Sequence, residues 1–520
     1  MFWQLALLFF ATTLCKAVYE LHFSRLSHIP GPKLAAFTRL YELYYDVVLR
    51  GKYTHKIAEM HSQYGPIIRV GPREVHINNP DFYETVYALR GKRNKDPWFT
   101  SNFAVPKSSF GTLSHDVHRS RRSLMAPYFS KARVQRIGST ILAKVDKLVR
   151  RLEEFVHSQQ PLKLDPVFSC LLVDIVSEYT NYKCFNYLDS PDFQPIWADT
   201  TKDLSECAMM SRNLPGVFGI LACLPRRLVK QIYPKLITVM NFRADCIKEV
   251  AHMFHNTSDS KEMAEVKFCQ EPTLFHDLLK LESSPDAEER VLHEFISIIT
   301  AGTETTSNTL TAITFHVLNN IKIKQKLRDE LYQAFGDGNA MTWTELEQLP
   351  YLVGEEVPKI VATATNLSYA FQTGVIYEGL RLSYGLSTRS PRVSPDEALQ
   401  FGDTIIPPNV AIGMASVIMH HNETSFPDSH KFMPERWTDP EERRRLSKYL
   451  VAFSKGSRQC IGRHLALANL YFTVSTMFRK FEMQLFETTE DDIKLEHDVM
   501  LPRPKLTSKG VRVKIKRPIV

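Results

Sequence analysis

Residues 453–462 constrain the fold of this chain more than any other stretch. They read FSKGSRQCIG and stand immediately before a helical pattern that begins near Arg463. A cysteine at the start of a helix lies where unsatisfied backbone N–H groups and the helix dipole stabilise its thiolate. Cys460 is therefore a candidate iron ligand, and the alternative for a single cysteine is an ordinary buried core residue.

Three neighbours of Cys460 suit a flat cofactor. Gly456 permits a tight backbone turn, and Gly462 allows the close approach of a planar ring. Arg458 can pair with an acidic substituent of such a ring. The loop therefore indicates a cofactor site next to the sulfur.

A second polar cluster, AGTETTS at residues 301–307, interrupts an apolar helical pattern. Four hydroxyls and a carboxylate are costly in a helix that is otherwise buried, which favours a functional role. Ala301 and Gly302 open a gap for a diatomic ligand, and Glu304 and Thr305 can carry protons towards it. The alternative is that the threonine hydroxyls bond back to the preceding helical turn.

The composition is that of a folded protein with a core of ordinary size. The chain has 520 residues, 44% of them hydrophobic and 23% charged, without internal repeats or a second composition regime. Its net charge of +8 is spread among many acidic residues, so nucleic-acid binding is not indicated. None of the eight cysteines forms a CxxC pair, which is typical of a reducing compartment. One catalytic domain over residues 34–520 is the simplest organisation.

The N-terminus predicts a short membrane anchor over residues 1–18. Its first fifteen residues are uncharged and largely apolar. They are short for a span of about 20 residues, but they lack the basic start and cleavage site of a secretory signal. Lysines and arginines follow, which predicts a cytosolic catalytic domain. The Pro-Gly-Pro sequence at 30–32 predicts a hinge within a linker over residues 19–33.

Periodicity predicts a mainly α fold with a small β-sheet region, an α+β class. Strand patterns occur within residues 66–77, 399–416 and 510–515. Helical patterns are longer and cover residues 139–157, 235–255, 292–335 with a break near Asn319, and 463–480.

The pattern FxxGxRxCxG in residues 453–462 resembles the heme-binding loop of the cytochrome P-450 family, with every fixed position present. The resemblance implies heme b, with Cys460 as the axial iron ligand and Arg458 paired with a propionate. Phe453 and Gly462 would lie at the cofactor. In this family the thiolate favours O–O cleavage.

Residues 301–307 are similar to the oxygen-activation pattern of the same family. The resemblance implies that Thr305 and Glu304 are catalytic, with Thr306 the next candidate. The reaction would insert one atom of O2 into a C–H or C=C bond. The alternatives are an oxygen-independent isomerase or rearrangement enzyme, which the intact Glu304 and Thr305 disfavour, and a heme sensor or electron-transfer protein.

The motif EGLR places Glu378 and Arg381 at i and i+3 on one helical face. Alone, such a pair is often surface decoration. Its position upstream of FMPERW, which contains Arg436, resembles the order of family motifs before the heme loop. The resemblance implies that the three residues form a structural ion network behind the heme.

Two further arginines match places where the family directs arginines at heme propionates. They are Arg392 in RSPRV and Arg122 in HRSRR. His118 stands where relatives carry a tryptophan, and a histidine can still donate a hydrogen bond to a carboxylate. The alternative for Arg392 is a solvated charge.

Residues 353–372 depart from the family pattern. Removal of this stretch, VGEEVPKIVATATNLSYAFQ, would leave LPYLTGVIYEGLRLSYG, which reads as an uninterrupted family segment. We hypothesise that it is either a lineage-specific surface loop or translated intron sequence. A chain inactivated by this insertion is a further alternative.

Electrons must come from another protein, because the chain shows no flavin or nicotinamide fingerprint. The resemblance implies NADPH as the source, through a separate reductase. Several basic residues could face an acidic reductase, namely Arg121, Arg122, Lys131, Lys455 and the basic residues of 443–448. The chain most resembles fungal microsomal members, including the trichodiene oxygenase-like group. This implies the endoplasmic reticulum membrane and a lipophilic substrate of secondary metabolism, such as a terpenoid.

Two segments, 99–110 and 209–218, are expected to line the substrate pocket. Ordinary core or membrane-facing packing is the alternative for each of their apolar residues. The candidates are Phe99, Phe103, Phe110, Met209, Met210, Leu214 and Phe218.

Overall fold

A computed structural model describes residues 2–100, 104–158, 160–180, 184–193, 195–256, 273–281, 286–335, 342–347 and 370–516. Helices dominate this part of the chain and the strands form small sheets, so the predicted α+β class is confirmed. The first half contains the helices α1 (Phe2–Val18), α2 (Lys33–Phe37), α3 (Leu40–Leu43), α4 (Tyr53–Tyr64), α5 (Tyr83–Val86), α6 (Pro97–Thr100), α7 (His115–Met125), α8 (Lys131–Arg136), α9 (Gly138–Ser158), α10 (Leu164–Thr180) and α11 (Pro195–Asn213).

The second half continues with the longest helix, which carries the polar cluster of residues 301–307. The helices are α12 (Val217–Ala222), α13 (Arg226–Ile232), α14 (Pro234–Asn256), α15 (Leu274–Leu281), α16 (Ala287–Asn319), α17 (Ile321–Phe335), α18 (Trp343–Glu347), α19 (Ala370–Ser383), α20 (Ser416–His420), α21 (Pro440–Ser447) and α22 (Arg463–Lys480). The predicted helices are confirmed within one or two residues in α9, α14 and α22. The predicted break near Asn319 lies at Asn320, and the helical pattern extends back to Ala287.

The strands are β1 (Ile67–Gly71), β2 (Glu74–Ile77), β3 (Asn94–Lys95), β4 (Leu162–Lys163), β5 (Arg392–Val393), β6 (Leu399–Phe401), β7 (Thr404–Ile406), β8 (Ala411–Gly413), β9 (Glu482–Leu485), β10 (His497–Asp498), β11 (Pro502–Arg503) and β12 (Arg512–Lys516). The largest sheet has the order β1-β2-β8-β5-β3, and the others are β4-β12-β9, β6-β7 and β10-β11. Pairing is antiparallel except between β2 and β8. The strand region predicted over 399–416 ends earlier, because Ser416 begins α20.

Helix α16 lies in the largest hydrophobic core and packs against α10, α14, α19 and α22. Its apolar positions supply buried side chains on several faces, which is typical of a helix enclosed by neighbours. This packing brings the middle of α16 close to the loop that precedes α22. The two polar motifs of the sequence therefore meet in the interior.

The N-terminal helix α1 has no buried residue. Helical winding continues past the predicted end at residue 18 as a π-helical turn, so that residues 2–23 form a segment long and apolar enough to cross a membrane. Its end is attached to the body, because Arg69 donates to the Glu20 carboxylate at 2.6 Å and to the Glu20 carbonyl at 2.7 Å. The linker predicted from residue 19 therefore begins as ordered helix.

Candidate active site

A cavity of about 550 Å³ lies between α16 and the loop that precedes α22. Most of its lining is apolar. Cys460 contributes to one part of the wall, and Ala301, Glu304 and Thr305 contribute to another. The structure thus brings the two predicted polar motifs to one enclosed space.

The cysteine loop is fixed by backbone contacts. Gly456 has a φ of +73°, and a Cβ at this position would collide with the carbonyl oxygens of Tyr87 and Ala88. The Cys460 amide donates to the Phe453 carbonyl at 2.9 Å, which closes the loop. Only glycine fits the turn at 456, because this conformation and close approach exclude a side chain.

Helix α22 begins directly after this loop. Gly462 is its N-terminal cap residue, and no atom lies within 4 Å of the position that a Cβ would take there. The open space beside Gly462 matches the predicted approach of a flat ring. Cys460 itself precedes the cap by two residues, as its predicted place at a helix start requires.

The Cys460 sulfur faces the cavity rather than bulk water. Burial raises the pKa of the thiol, while the Gly462 amide and the positive charges of Arg122 and Arg463 act in the opposite direction. A cation beside the sulfur would favour the thiolate further. These contacts suit a sulfur that serves as a metal ligand.

Several basic side chains, Lys95, His118, Arg122, Arg392 and Arg458, line the same cavity. Burial and repulsion by Arg392 lower the pKa of Arg458 to about 9. Burial, with repulsion by Arg458, Arg122, Lys95 and Arg392, lowers the pKa of His118 to about 2. None of the three arginines forms an ion pair with any residue that the structure describes.

Two of these arginines, Arg458 and Arg392, bond to backbone carbonyls instead. Arg458 donates to the carbonyls of Thr112 and Leu113, each at 2.7 Å, and Arg392 donates to that of Ser390 at 2.8 Å. Uncompensated buried charge is costly unless an anion joins it. The cluster therefore fits a planar cofactor that carries carboxylates, and His118 Nδ1, which is buried without a partner in the described chain, agrees with this.

Thr305 and Glu304 of α16, the two predicted proton carriers, are each bonded to other groups in the structure. The Thr305 hydroxyl donates to the Ala301 carbonyl at 2.9 Å, which is the back-bonded alternative. Glu304 forms an ion pair with Arg503 of β11 and accepts a bond from Ser205 at 3.4 Å. No hydrogen bond joins Glu304 to Thr305 among the described residues, although both line the cavity.

The neighbours of these two residues divide into lining and packing roles. Ala301 faces the cavity, and Thr306 lines it although it is buried. Gly302 also packs against α10, because a Cβ there would stand 3.0 Å from a Val176 methyl group. Gly302 therefore allows close packing against α10 as well as lining the cavity, and Ala301 keeps the adjacent wall small.

Glu378, Arg381 and Arg436 meet in one buried network. Glu378 Oε1 accepts bonds from Arg381 Nη2 at 2.7 Å and from Arg436 Nε at 3.1 Å. The indole of Trp437 donates to Glu378 Oε2 at 2.8 Å. Arg381 also donates to the carbonyls of His420 and Ser429. The network ties α19 to the segment that carries FMPERW.

The predicted pocket residues are placed unevenly. Phe99, Phe110 and Phe218 line the cavity. Phe103 lies outside the described residues. Met209, Met210 and Leu214 do not line it, because the face of α11 towards the cavity carries Thr201, Leu204, Ser205, Ala208 and Ser211 at helical spacing.

Sequence reasoning missed several lining residues that other elements bring to the cavity. Lys95 comes from β3, and Leu236 and Val239 come from α14. Arg503 of β11 does not line the cavity but pairs with Glu304, which does. The Lys95 ammonium lies 3.8 Å from the centre of the Phe110 ring, where burial and the charges of Arg392 and Arg458 lower its pKa. No local pattern marks these residues, since tertiary pairing decides their position.

The basic residues expected to face a reductase are largely engaged within the chain. Lys455 pairs with Glu84 at 2.6 Å, and Lys448 pairs with Asp81 at 3.0 Å. Arg443 is buried, and Arg121 donates to the Thr112 hydroxyl at 2.6 Å. Lys131 lies over the Trp343 ring. The two ion pairs compensate the charges of Lys448 and Lys455, and the other contacts hold the remaining side chains against the chain. Less uncompensated positive charge is thus available to a reductase than the sequence alone suggested.

Comparison with known proteins agrees with this geometry. The sequence model of the family described as Cytochrome P450 matches residues 30–354 and 363–509. The chain is 41% identical over 508 residues to cytochrome P450 monooxygenase MO6277 of Ascocoryne sarcoides, with 95% of each chain covered. It is 37% identical over 516 residues to tryptophan 6-hydroxylase fscE of Fusarium equiseti, covering 98% of this chain and 96% of the relative. It is 35% identical over 496 residues to cytochrome P450 monooxygenase TRI4 of Fusarium sporotrichioides, covering 95% and 90%.

Proposed function

This chain belongs to the cytochrome P450 family, and from that premise we propose that it inserts one oxygen atom of O2 into a lipophilic small molecule of secondary metabolism, such as a terpenoid. The observation that carries the proposal is a largely apolar cavity whose wall holds Cys460 together with Arg122, Arg392 and Arg458. The glutamates that line it are Glu294 and Glu304, and Glu304 is already paired with Arg503. The relatives bear out an oxidoreductase of the monooxygenase type. Their names include an enzyme for tryptophan, so substrate choice must be sought in this chain's own cavity.

The family implies heme, and the cavity residues fit it. We assign Cys460 as the residue that would bind the iron, and Arg122, Arg392 and Arg458 as the residues that would hold the propionates. Phe453 and Gly462 would contact the cofactor. When bound, heme supplies oxygen activation, which a thiolate ligand promotes. The basic groups around His118 and Arg458 repel one another. Binding of two carboxylates would compensate these charges and so stabilise the folded chain.

The residues of α16 serve proton transfer in this proposal. Glu304 accepts protons from water at the cavity edge, where Arg503 and Ser205 hold its carboxylate. Thr305 passes a proton onward once its hydroxyl releases the Ala301 carbonyl. The apolar walls exclude bulk water from this path. Glu378, Arg381 and Arg436 act on structure and not on chemistry.

Electrons come from NADPH through a separate reductase in this proposal, and the enzyme is held at the endoplasmic reticulum membrane facing the cytosol. The apolar helix over residues 2–23 supports the anchor. Exposed apolar side chains on nearby elements, Leu40 and Val48, extend that surface. These elements are joined to the end of α1 through contacts of α2 and α3.

A carbon monoxide difference spectrum of the reduced protein tests the ligand assignment. The thiolate-type Soret band is expected for the native chain and should be absent for Cys460→Ser. Co-expression with a reductase, under 18O2 and with a lipid extract as substrate, should give products that gain one labelled oxygen. Products that form equally well without O2 would instead identify a rearrangement enzyme.

A further inference from the structure

One carboxyl of the cavity is left unused by the proposed chemistry. Glu294 lies on α16, lines the cavity and has only 2% of its surface exposed. Its Oε1 accepts a bond from the Ser109 amide at 2.6 Å. Among the residues that the structure describes, no donor reaches Oε2. Glu304 differs, because Arg503 already neutralises it.

The position of Glu294 relative to the oxygen site follows from helix geometry. Ala301 is seven residues further along α16 and Thr305 eleven, and at 1.5 Å per residue these correspond to about 10 Å and about 16 Å. Ser297 and Ile298 line the cavity between them. The free carboxyl oxygen therefore lies about two helical turns from the oxygen site, in a cavity whose lining is mostly apolar.

We propose that Glu294 is a specificity-determining residue that hydrogen-bonds a hydroxyl group of the substrate about 10 Å from the carbon that is oxidised. The ligand class is a neutral, lipophilic alcohol with its hydroxyl at one end. This inference rests on the proposed function and names its substrate class. Such a substrate already contains oxygen, so an earlier oxygenating or water-adding step must supply it.

The charges around Glu294 favour an alcohol over an amine. Arg121 and Arg290 lie close enough to lower the pKa of the carboxyl, although burial raises it to about 7 overall. An ammonium group would add a third cation to one carboxylate. A hydroxyl can donate to the ionised carboxyl and accept from the protonated one, so it suits both states near neutral pH.

The test uses heme-loaded full-length protein and three probes of one carbon skeleton: farnesol, farnesylamine, and the hydrocarbon that lacks the hydroxyl. Dissociation constants come from the Soret shift, checked by equilibrium dialysis. Native protein should bind farnesol about tenfold more tightly than the hydrocarbon, the value of one hydrogen bond to a charged group. Glu294→Met should abolish that preference and leave hydrocarbon affinity unchanged.

Two further variants keep the test decisive. Glu294→Gln retains an oxygen for the Ser109 amide and should keep the alcohol preference, because its amide donates to the hydroxyl. Glu288→Gln, an exposed glutamate on the same helix, is the matched control and should behave as native. Equal affinity for farnesol and hydrocarbon in native protein, or a preference that survives Glu294→Met, overturns the inference. Tighter binding of farnesylamine that Glu294→Gln removes also overturns it.

Failure of this inference is distinct from failure of the proposed function. A chain that lacks the thiolate-type Soret band refutes the heme-thiolate assignment before any probe is added. A chain that shows the band but does not distinguish farnesol from the hydrocarbon refutes only the role of Glu294.

Discussion

At the scale of single residues, Thr303 and Thr305 of α16 allow the proton-transfer role of a threonine hydroxyl to be distinguished from its packing role. Thr305 and Thr303 both donate to the carbonyl four residues earlier, at 2.9 Å and 2.7 Å. Only Thr305 lines the cavity, whereas Thr303 is fully buried. Valine matches threonine in shape but lacks the hydroxyl that passes a proton in the proposed function. Thr305→Val should therefore lower the amount of product formed per NADPH consumed by about 100-fold. Thr303→Val should leave that ratio within about twofold, and an equal loss in both variants would assign the effect to the helix itself.

The buried ion network predicts a stability effect that an exposed pair of the same spacing lacks. Glu378 and Arg381 are i,i+3 partners with no exposed surface, and Glu442 and Arg445 are i,i+3 partners at the surface. Glu378→Gln leaves two arginines without their carboxylate, so we expect a loss of about 3–5 kcal/mol and poor heme retention. Glu442→Gln should cost less than about 1 kcal/mol. Thermal unfolding and heme content of both variants, measured in parallel, check the contrast, and similar losses would contradict it.

Glu294 should make stability depend on pH. Burial raises its pKa from 4.5 to about 7 in the folded chain, so the folded state holds a proton that the unfolded state has released between these values. Its contribution is therefore present below about pH 4.5 and is lost as the pH rises through 7. The side chain of the Glu294→Gln variant stays neutral. Between pH 5 and pH 8 the free energy of unfolding of the variant should therefore rise relative to that of the native protein by up to about 3 kcal/mol, and its relative melting temperature by a few degrees. A constant difference across this range would show that the carboxyl titrates normally, and Glu288→Gln controls for general charge loss.

The residues that sequence could predict are those fixed by local spacing. Cys460, Gly456 and Gly462 follow from a loop whose turn admits only certain residues. Arg503 and Glu294 have no such signature, because Arg503 reaches Glu304 through the position of β11 and Glu294 reaches the cavity through its position along α16. Their roles depend on which elements pack together, and a single sequence does not state that.

At the scale of elements, α19 bears on the insertion over residues 353–372. Residues 353–369 lie outside the described residues, but Gln372 is part of α19 and is buried. Its backbone N–H donates to the Glu330 carboxylate at 2.7 Å, and its side-chain Nε2 donates to the Tyr471 carbonyl at 3.3 Å. Its Oε1 is buried without a partner in the described chain. The Nε2 group also donates to the Ser475 hydroxyl, so this buried amide is satisfied at its nitrogen and unsatisfied at its oxygen.

Deletion of residues 353–372 tests the intron hypothesis against the surface-loop alternative. The family match leaves a gap at 355–362, within this stretch, and both alternatives account for that gap. The deletion places Leu352 directly before Thr373, in the position of Gln372. We expect the shortened chain to retain heme and to stay within about 1 kcal/mol of the full-length stability, since removal of the unsatisfied oxygen offsets the loss of the two Nε2 bonds. A control deletion of 353–369 keeps Gln372 and should behave in the same way. Transcripts that all contain codons 353–372, or loss of heme only in the shortened chain, would contradict the intron hypothesis.

For the whole molecule, sequence periodicity recovered the α+β class and the long helices because each depends on local hydrophobic spacing. It placed the end of the anchor at residue 18, since Lys16 and Glu20 end the apolar run. The structure continues the helix to Phe23, because Arg69 of β1 compensates Glu20. That contact spans a large sequence separation, and hydropathy does not report it.

The Arg69–Glu20 contact allows membrane attachment and stability to be separated by two truncations. Removal of residues 2–18 eliminates the apolar helix but keeps Glu20, whereas removal of residues 2–23 also strips the buried Arg69 of its carboxylate. Both proteins should fail to float with liposomes that carry the full-length chain. Only the longer truncation should lose stability, by about 2–3 kcal/mol, because the guanidinium loses both the carboxylate and the carbonyl of Glu20 as acceptors. Equal melting temperatures for the two truncations would show that Arg69 finds other partners, and flotation of either would show that the body itself binds the membrane.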